Sequence, residues 1–199
     1  TDRSTIPISG YVRYKNTDCF QPKVEILVNG ESFSPKVFTN EEGKFVVDFD
    51  PGTTAVLSPK YEDHIYSPSS WEVINVTTPI AGILFNNTVS RKVNGQVAGG
   101  DCRQSIIKDP GLPTGTVCTV KLRTADGCFE QLQTINNVGT GLDEGDYEFL
   151  SLPPFENLIV SIIEHSDPLV KNYFQALGGS TVDLKAKDTI VDFIYHSEP

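Results

Sequence analysis

Two N-glycosylation sequons are the residues of this chain whose type and spacing most directly imply chemistry. They are Asn75-Val76-Thr77 and Asn86-Asn87-Thr88, and neither has proline in the middle position. In such a triplet the asparagine side-chain amide can accept an oligosaccharide, so Asn75 and Asn86 are the predicted N-glycosylation sites. The first sequon lies in a strand-like stretch, and the second lies near a predicted domain boundary. Covalent glycans are therefore expected on this chain.

Four cysteines, Cys19, Cys102, Cys118 and Cys128, are the disulfide candidates. An even cysteine count together with two sequons favours an oxidising setting, and hence an extracellular or cell-surface location. A Cys102–Cys128 pair would close a staple across an insertion rich in proline and glycine. Cys19 could bridge to Cys118, bridge to another subunit or stay free, so the connectivity is open. A zinc site is disfavoured because the sequence has no Cys-x-x-Cys pair.

Motifs for catalysis and nucleotide binding are missing from the sequence. It contains no Gly-x-Ser-x-Gly, no His-Glu-x-x-His and no glycine-rich phosphate loop before a helix. The acidic turn Asp143-Glu144-Gly145-Asp146 could offer oxygen ligands to calcium, but it lacks the spacing of a dedicated calcium loop. We therefore predict that the protein is not an enzyme and uses no metal and no cofactor.

Composition limits the partners of the chain. The net charge is -10, with 38% hydrophobic and 21% charged residues among 199. A negative surface opposes binding to nucleic acid, which depends on lysine and arginine neutralising phosphates. It also opposes binding to anionic membranes, and no apolar run reaches the roughly twenty residues that a membrane helix needs. We expect neither nucleic-acid binding nor membrane insertion.

An internal repeat organises the chain. The matching segments are residues 8–12 with 93–97, 39–45 with 141–147, and 80–85 with 190–195. A period of roughly a hundred residues corresponds to one small domain. The repeat therefore predicts two tandem domains, residues 1–91 and 92–199.

Short segments with period-two alternation make up most of each repeat. Residues 23–28 and 117–122 show this pattern, and the turn dipeptides Asn29-Gly30 and Asp126-Gly127 follow them. No helical period of useful length is evident. Short strands separated by frequent turns are typical of an antiparallel β-sandwich.

The motif order in each repeat resembles the carboxypeptidase-regulatory-like or Cna-B-type family of immunoglobulin-like β-sandwiches. The motifs are Gly10-Tyr11-Val12, residues 39–45 and Asp50-Pro51-Gly52 in the first copy, with counterparts in the second. The resemblance implies an all-β fold with two tandem Ig-like (transthyretin/Cna-B-like) antiparallel β-sandwich domains. It also implies a repeated stalk unit of a surface protein or fibre, without catalysis.

Some members of that family carry a Lys–Asn isopeptide bond. The positional candidates for such a bond are Lys15 with Asn86 or Asn87, and the matching slot in the second copy has no lysine. The bond is therefore disfavoured.

The sequence as a whole predicts a structural subunit of a glycosylated extracellular filament or stalk. Its partners would be copies of itself, joined head to tail by strand pairing and apolar contacts. The expected assembly residues are Ile6, Ile8, Ile190, Phe193 and Tyr195. The alternative is a carbohydrate- or protein-binding accessory module of a larger secreted protein or adhesin. Its ligand surface would be formed by Tyr61, Tyr66 and Trp71, and burial of these rings would favour the structural interpretation.

Overall fold

The structure is a computed structural model that describes residues 4–99, 115–136 and 145–195. The chain divides into two compact units, residues 1–89 and 90–199. The predicted boundary lies two residues later. β-Strands dominate both units, which confirms the all-β prediction.

Unit 1 is a sandwich of two four-stranded sheets. Its strands are β1 (Ile6–Tyr14), β2 (Glu25–Val28), β3 (Glu31–Ser32), β4 (Lys44–Phe49), β5 (Ala55–Lys60), β6 (Tyr66–Ser67), β7 (Trp71–Val73) and β8 (Ile80–Asn87). The sheets have the orders β4-β1-β8-β6 and β3-β2-β5-β7. Alternate apolar side chains of both sheets meet in one core, which includes Ile8, Val12, Ile26, Phe45 and Phe85. The period-two alternation in the sequence therefore marks the buried face of each strand.

Unit 2 has the same layering with longer strands and one helix. Its elements are β9 (Arg91–Gly99), β10 (Val117–Thr124), β11 (Glu130–Asn136), β12 (Asp146–Leu152), β13 (Leu158–His165), α1 (Pro168–Ala176), β14 (Ser180–Val182), β15 (Thr189–Ile190) and β16 (Phe193–Tyr195). One sheet has the order β11-β10-β13-β14, and the other has the order β12-β9-β15, with β16 also paired to β9.

The first and last strands of each unit run parallel, whereas the other strand pairs described are antiparallel. β1 pairs with β8 from Ile8 to Tyr14, and β9 pairs with β15 and then β16 from Val93 to Gly99. The sandwiches are thus antiparallel as predicted, except at these terminal pairs. Because parallel strands begin at the same end of a sheet, the chain enters each unit at one end and leaves it at the opposite end.

Helix α1 is an element that the sequence analysis missed. Asp167 caps it by accepting a 2.9 Å hydrogen bond from the Leu169 N–H, and Pro168 occupies its first turn. Val170 and Phe174 are buried, whereas Leu169 is exposed on the opposite side. Apolar residues on both faces hide the helical period in a segment of nine residues. Along the described residues, no helix combines the length and the apolar character required to cross a membrane.

Candidate functional sites

The Gly-x-Val motif at the start of each repeat has a geometric cause. In unit 1 a Cβ atom on Gly10 would overlap the backbone carbonyl of Ile83 on β8. The β1–β8 register shifts next to this point, and Gly82 adopts a φ of 81°. Glycine at position 10 lets the irregular last strand press its carbonyl against the first strand.

Unit 2 repeats this arrangement and adds a hydroxyl group. A Cβ atom on Gly95 would overlap the Val191 carbonyl, which lies between β15 and β16. The Tyr147 hydroxyl donates a hydrogen bond to the same carbonyl. Burial, with a smaller contribution from Asp192, raises the pKa of Tyr147 above its ordinary value, which is consistent with a protonated hydroxyl that donates. Phe45 stands at the matching position of unit 1 and has no hydroxyl.

A buried polar cluster ties the exit end of unit 1 together. The Asn87 amide nitrogen lies 2.9 Å from both Gln21 Oε1 and His64 Nδ1. The Tyr66 hydroxyl donates to Gln21 Oε1 at 3.1 Å, and Asn87 Oδ1 accepts from the Val89 N–H at 3.1 Å. Gln21 and Asn87 are almost completely inaccessible to solvent. The cluster therefore joins residues before β2, between β5 and β6, and at the end of β8.

This cluster occupies the position considered for an isopeptide bond. The Lys15 side chain is exposed, whereas Asn87 is buried. The backbone N–H of Lys15 donates to the Asn87 carbonyl at 3.0 Å. The side-chain amide of Asn87 is held instead by Gln21 and His64. What joins these two positions is a backbone hydrogen bond.

The two sequons lie at opposite ends of unit 1. Asn75 is exposed in the loop between β7 and β8 and has a φ of 45°, so the predicted strand-like setting is wrong. Its N–H donates to Thr54 Oγ1 at 3.0 Å, beside the turn that follows β4 at the entry end. Asn86 lies in β8 at the exit end, where its Oδ1 accepts from Arg13 Nε at 3.2 Å.

The candidate ligand aromatics do not share one exposed surface. Tyr66 is buried, with its hydroxyl in the polar cluster and its pKa raised by burial. Tyr61 is partly buried against the core and lies edge-on to His64 at 5.2 Å. Trp71 is exposed on the edge strand β7. Burial of Tyr66 favours the structural interpretation of these rings over the ligand-binding one.

The predicted assembly residues lie in three different settings. Ile8 is fully buried in β1, which pairs with β4 on one side and β8 on the other, and Ile6 pairs with Phe49. Phe193 and Tyr195 pack against Phe174 of helix α1. Ile190 is 68% exposed on β15, at the edge of its sheet. The structure thus places Ile190 where a further strand could be added.

Three of the four cysteines lie within the described residues. Cys19 and Cys128 are each disulfide-bonded. Cys118 is buried as a free thiol, and burial raises its pKa to about 12. The pairing of Cys19 with Cys118, and a free Cys19, are therefore both wrong. Cys102 lies outside the described residues.

A groove of about 550 Å³ crosses the outer face of the unit 2 sheet that contains β9. Its lining includes Asn94, Gln96, Gln133, Glu148 and Asp192. Gln133 Oε1 accepts from the Glu148 N–H at 2.8 Å, which links β11 to β12. The acidic turn at residues 143–144 lies outside the described residues. Within the described part of the chain, no group of three or more His, Cys, Asp or Glu side chains is arranged to hold a metal.

Sequence reasoning missed the polar cluster of unit 1 and the Tyr147 hydroxyl. Gln21 and Asn87 are separated by 66 positions, and they meet only because β1 and β8 pair. One signal was available, because the repeat aligns Phe45 with Tyr147. A phenylalanine-to-tyrosine exchange at an equivalent core position indicates a polar group that only one copy must satisfy.

Comparisons with known proteins show distant likenesses in fold. No family model matches the chain, and no curated protein sequence matches it. The Bacillus anthracis TIE protein aligns with 96% of this chain and 33% of its own, at 9% identity and a TM-score of 0.42. A streptococcal ancillary pilin aligns with 98% of this chain and 63% of its own, at 10% identity and a TM-score of 0.37.

The shaft pilin SpaA from Lactobacillus rhamnosus GG aligns with 98% of this chain and 100% of its own, at 7% identity and a TM-score of 0.35. The chain thus spans about a third of the TIE protein and less than two thirds of the ancillary pilin. TM-scores this low do not indicate a shared function.

Proposed function

We infer that the chain is a structural subunit of a glycosylated extracellular filament or stalk, assembled head to tail from copies of itself. The observation that carries this proposal is the parallel pairing of first and last strands in each unit. Because the chain enters such a unit at one end and leaves it at the other, the next unit can follow without a reversal of the chain direction. Such a contact is heterologous, so it extends into a line.

The chemistry of the buried groups supports a structural role. Tyr66, Cys118 and Tyr147 all have raised pKa values because they are buried. A nucleophile or general base usually needs a pKa nearer to neutrality, and burial shifts these groups the opposite way. Each of the three contributes to a core, and the two tyrosines also satisfy buried acceptors.

The open edge at β15 supplies the strand-pairing part of the proposal. Among the described residues, β15 pairs with β9 on one side only, and the exposed Ile190 lies on it. An unpaired edge presents backbone donors and acceptors to a strand from another copy. β1 is paired on both sides, so the donation proposed for Ile6 and Ile8 would require β1 to leave its own sheet.

Electron microscopy of native material, at a resolution that shows side chains, tests the proposal. A linear array with β15 and β16 paired to a neighbouring copy is the expected result. Isolated two-unit particles at working concentration would contradict it. Ile190→Lys should abolish the array because a charge at an edge opposes strand addition. The matched control is Leu169→Lys, which changes a side chain of similar exposure, 71%, on helix α1.

A further inference from the structure

We propose that Asn75 is the occupied N-glycosylation site of this chain, in preference to Asn86, and that its glycan covers the open edge of β7. This inference rests on the extracellular location proposed above. Both sequons end in threonine, and they differ in the middle residue, which is Val76 in one and Asn87 in the other. The preference for Asn75 rests on the different places of the two sequons in the fold.

The fold leaves room for a glycan at Asn75. Asn75 is exposed, and so is Thr77, the hydroxyl residue of its sequon. The backbone of the loop is fixed at the asparagine and at the residue after it. The Asn75 N–H donates to Thr54 Oγ1 at 3.0 Å, and Val76 donates to Thr53 at 2.9 Å and accepts from Gly52 at 2.7 Å. A sugar on the Asn75 side chain would therefore leave a firmly held loop and enter solvent.

Asn86 has strands on both sides. It pairs with Arg13 of β1 and with Ser67 of β6. Its Nδ2 donates to the Ser67 carbonyl at 3.4 Å, while its Oδ1 accepts from Arg13. Thr88 of the same sequon donates through its hydroxyl to the Ile65 carbonyl at 3.1 Å. The asparagine and the threonine of this sequon are both engaged by the folded unit.

The chemistry is a glycosyl transfer from a lipid-linked oligosaccharide. The side-chain amide nitrogen of Asn75 attacks C1 of the first sugar and forms the N–C1 bond. The bond between C1 and the phosphate oxygen breaks, and the lipid phosphate leaves with the electron pair. The amide loses one proton to the transferase. No oxidant or reductant is required.

The position of Asn75 gives the glycan a shielding role. β7 ends at Val73, two residues before the sequon, and it is the edge strand of its sheet. Trp71 on β7 is exposed, and Ile74 beside the asparagine is 68% exposed. An exposed apolar edge invites pairing with other chains. A glycan here would restrict pairing of other chains along the β7 edge.

Site-resolved mass spectrometry of protein purified from its native cells tests the occupancy. Trypsin leaves both asparagines in one peptide, residues 61–91, so chymotryptic cleavage after Phe85 is needed to separate them. Enzymatic deglycosylation of the denatured full chain in heavy-oxygen water, carried out before digestion, marks each occupied asparagine as aspartate. Occupancy of Asn75 several-fold above that of Asn86 is expected. Equal occupancy, or a bare Asn75, would overturn the proposal.

Light scattering of the glycosylated full chain tests the shielding role. Asn75→Gln and Thr77→Ala both remove this sequon by different changes, and both should increase lateral association. Asn86→Gln is the control and should leave association unchanged. Unchanged scattering in the first two variants would overturn the shielding role. A monomeric chain with a glycan on Asn75 would contradict the filament proposal alone, so the two failures are distinguishable.

Discussion

The two units solve one packing problem with different chemistry. Each presses a carbonyl of its last strand against a glycine of its first strand, at Gly10 in unit 1 and at Gly95 in unit 2. Unit 2 satisfies that carbonyl with the Tyr147 hydroxyl, whereas unit 1 has phenylalanine at the matching place. Unit 1 instead holds its terminal strands together at their exit end with the buried cluster around Asn87.

This difference indicates that the repeated glycine motif determines how close the backbones of the terminal strands come. The hydrogen-bonding partners of the buried polar groups are supplied separately in each unit. Glycine is required in both copies because no side chain fits beneath the carbonyl. The hydrogen-bonding partners are free to differ because any donor with suitable geometry meets the need. Substitutions at the glycines should therefore act alike in both units, and substitutions of the partners should act on one unit only.

The largest expected effect comes from Gly95→Ala. The added methyl group would overlap the Val191 carbonyl, and relief requires moving β15 and β16 away from β9. We expect the free energy of unfolding of unit 2 to fall by at least about 3 kcal/mol. Hydrogen exchange of unit 2 amides measures this loss.

Two controls accompany that variant. Gln96→Ala changes the next residue, whose side chain lines the outer groove, and should alter stability by less than about 0.5 kcal/mol. Gly10→Ala should give a comparable loss confined to unit 1, because the Ile83 carbonyl lies beneath Gly10. A stable Gly95→Ala variant would contradict the explanation that both glycines are required by the carbonyl lying against them.

Asn87→Ala comes next and acts on unit 1 alone. It deprives the buried Gln21 and the half-buried His64 of a partner, and we expect a loss of about 3 kcal/mol. Trp71 is the single tryptophan, so its fluorescence reports the unfolding of unit 1. The control is Asn86→Ala, with both variants produced in a host that does not glycosylate them. Because Asn86 is only half-buried, this substitution should lower the free energy of unfolding by about 1 kcal/mol or less. Equal losses in both variants would contradict a special role for the buried cluster.

The sequence predicts what is local and repeated. It indicates β10, predicted at residues 117–122 and observed at Val117–Thr124, and the turn at Asn29-Gly30, where both residues have positive φ. It does not reveal that the first and last strands of each unit pair in parallel, because the direction of a strand depends on where the connecting segments bring the chain back to the sheet. It also misses Gln21 with Asn87, since neither residue carries a local pattern. The buried polar groups depend on contacts between segments far apart in the chain, so a single sequence cannot locate them.

Tyr147→Phe should produce a smaller loss, confined to unit 2. The change removes the hydroxyl that donates to the buried Val191 carbonyl and keeps the ring, which packs on Phe149 and Phe193. We expect the unfolding free energy of unit 2 to fall by about 1–2 kcal/mol, measured by hydrogen exchange as before. The control is Tyr173→Phe, because Tyr173 is 39% exposed and its hydroxyl is within reach of water. An equal effect in both variants would show that the Val191 carbonyl does not depend on Tyr147.

The smallest expected effect is a pH dependence from His165 at the start of helix α1. Burial lowers the pKa of His165 from its ordinary 6.5, although a hydrogen bond with Asp167 and the charge of that carboxylate oppose the shift. His165 Nδ1 accepts the Asp167 N–H at 3.0 Å, and Asp167 caps the helix. Below pH 6.5 the unfolded chain binds more protons at this position than the folded chain does.

The contribution of His165 is therefore complete above pH 6.5 and is lost as the pH falls through the folded-state value. Denaturant titrations of the full chain between pH 7.5 and 5, compared with His165→Gln, isolate this contribution from the carboxylates that titrate at lower pH. The variant should show a flatter dependence because its amide does not titrate. Parallel curves for the two proteins would mean that the imidazole is equally free to protonate in both states. In that case the cap of α1 would not depend on a neutral His165.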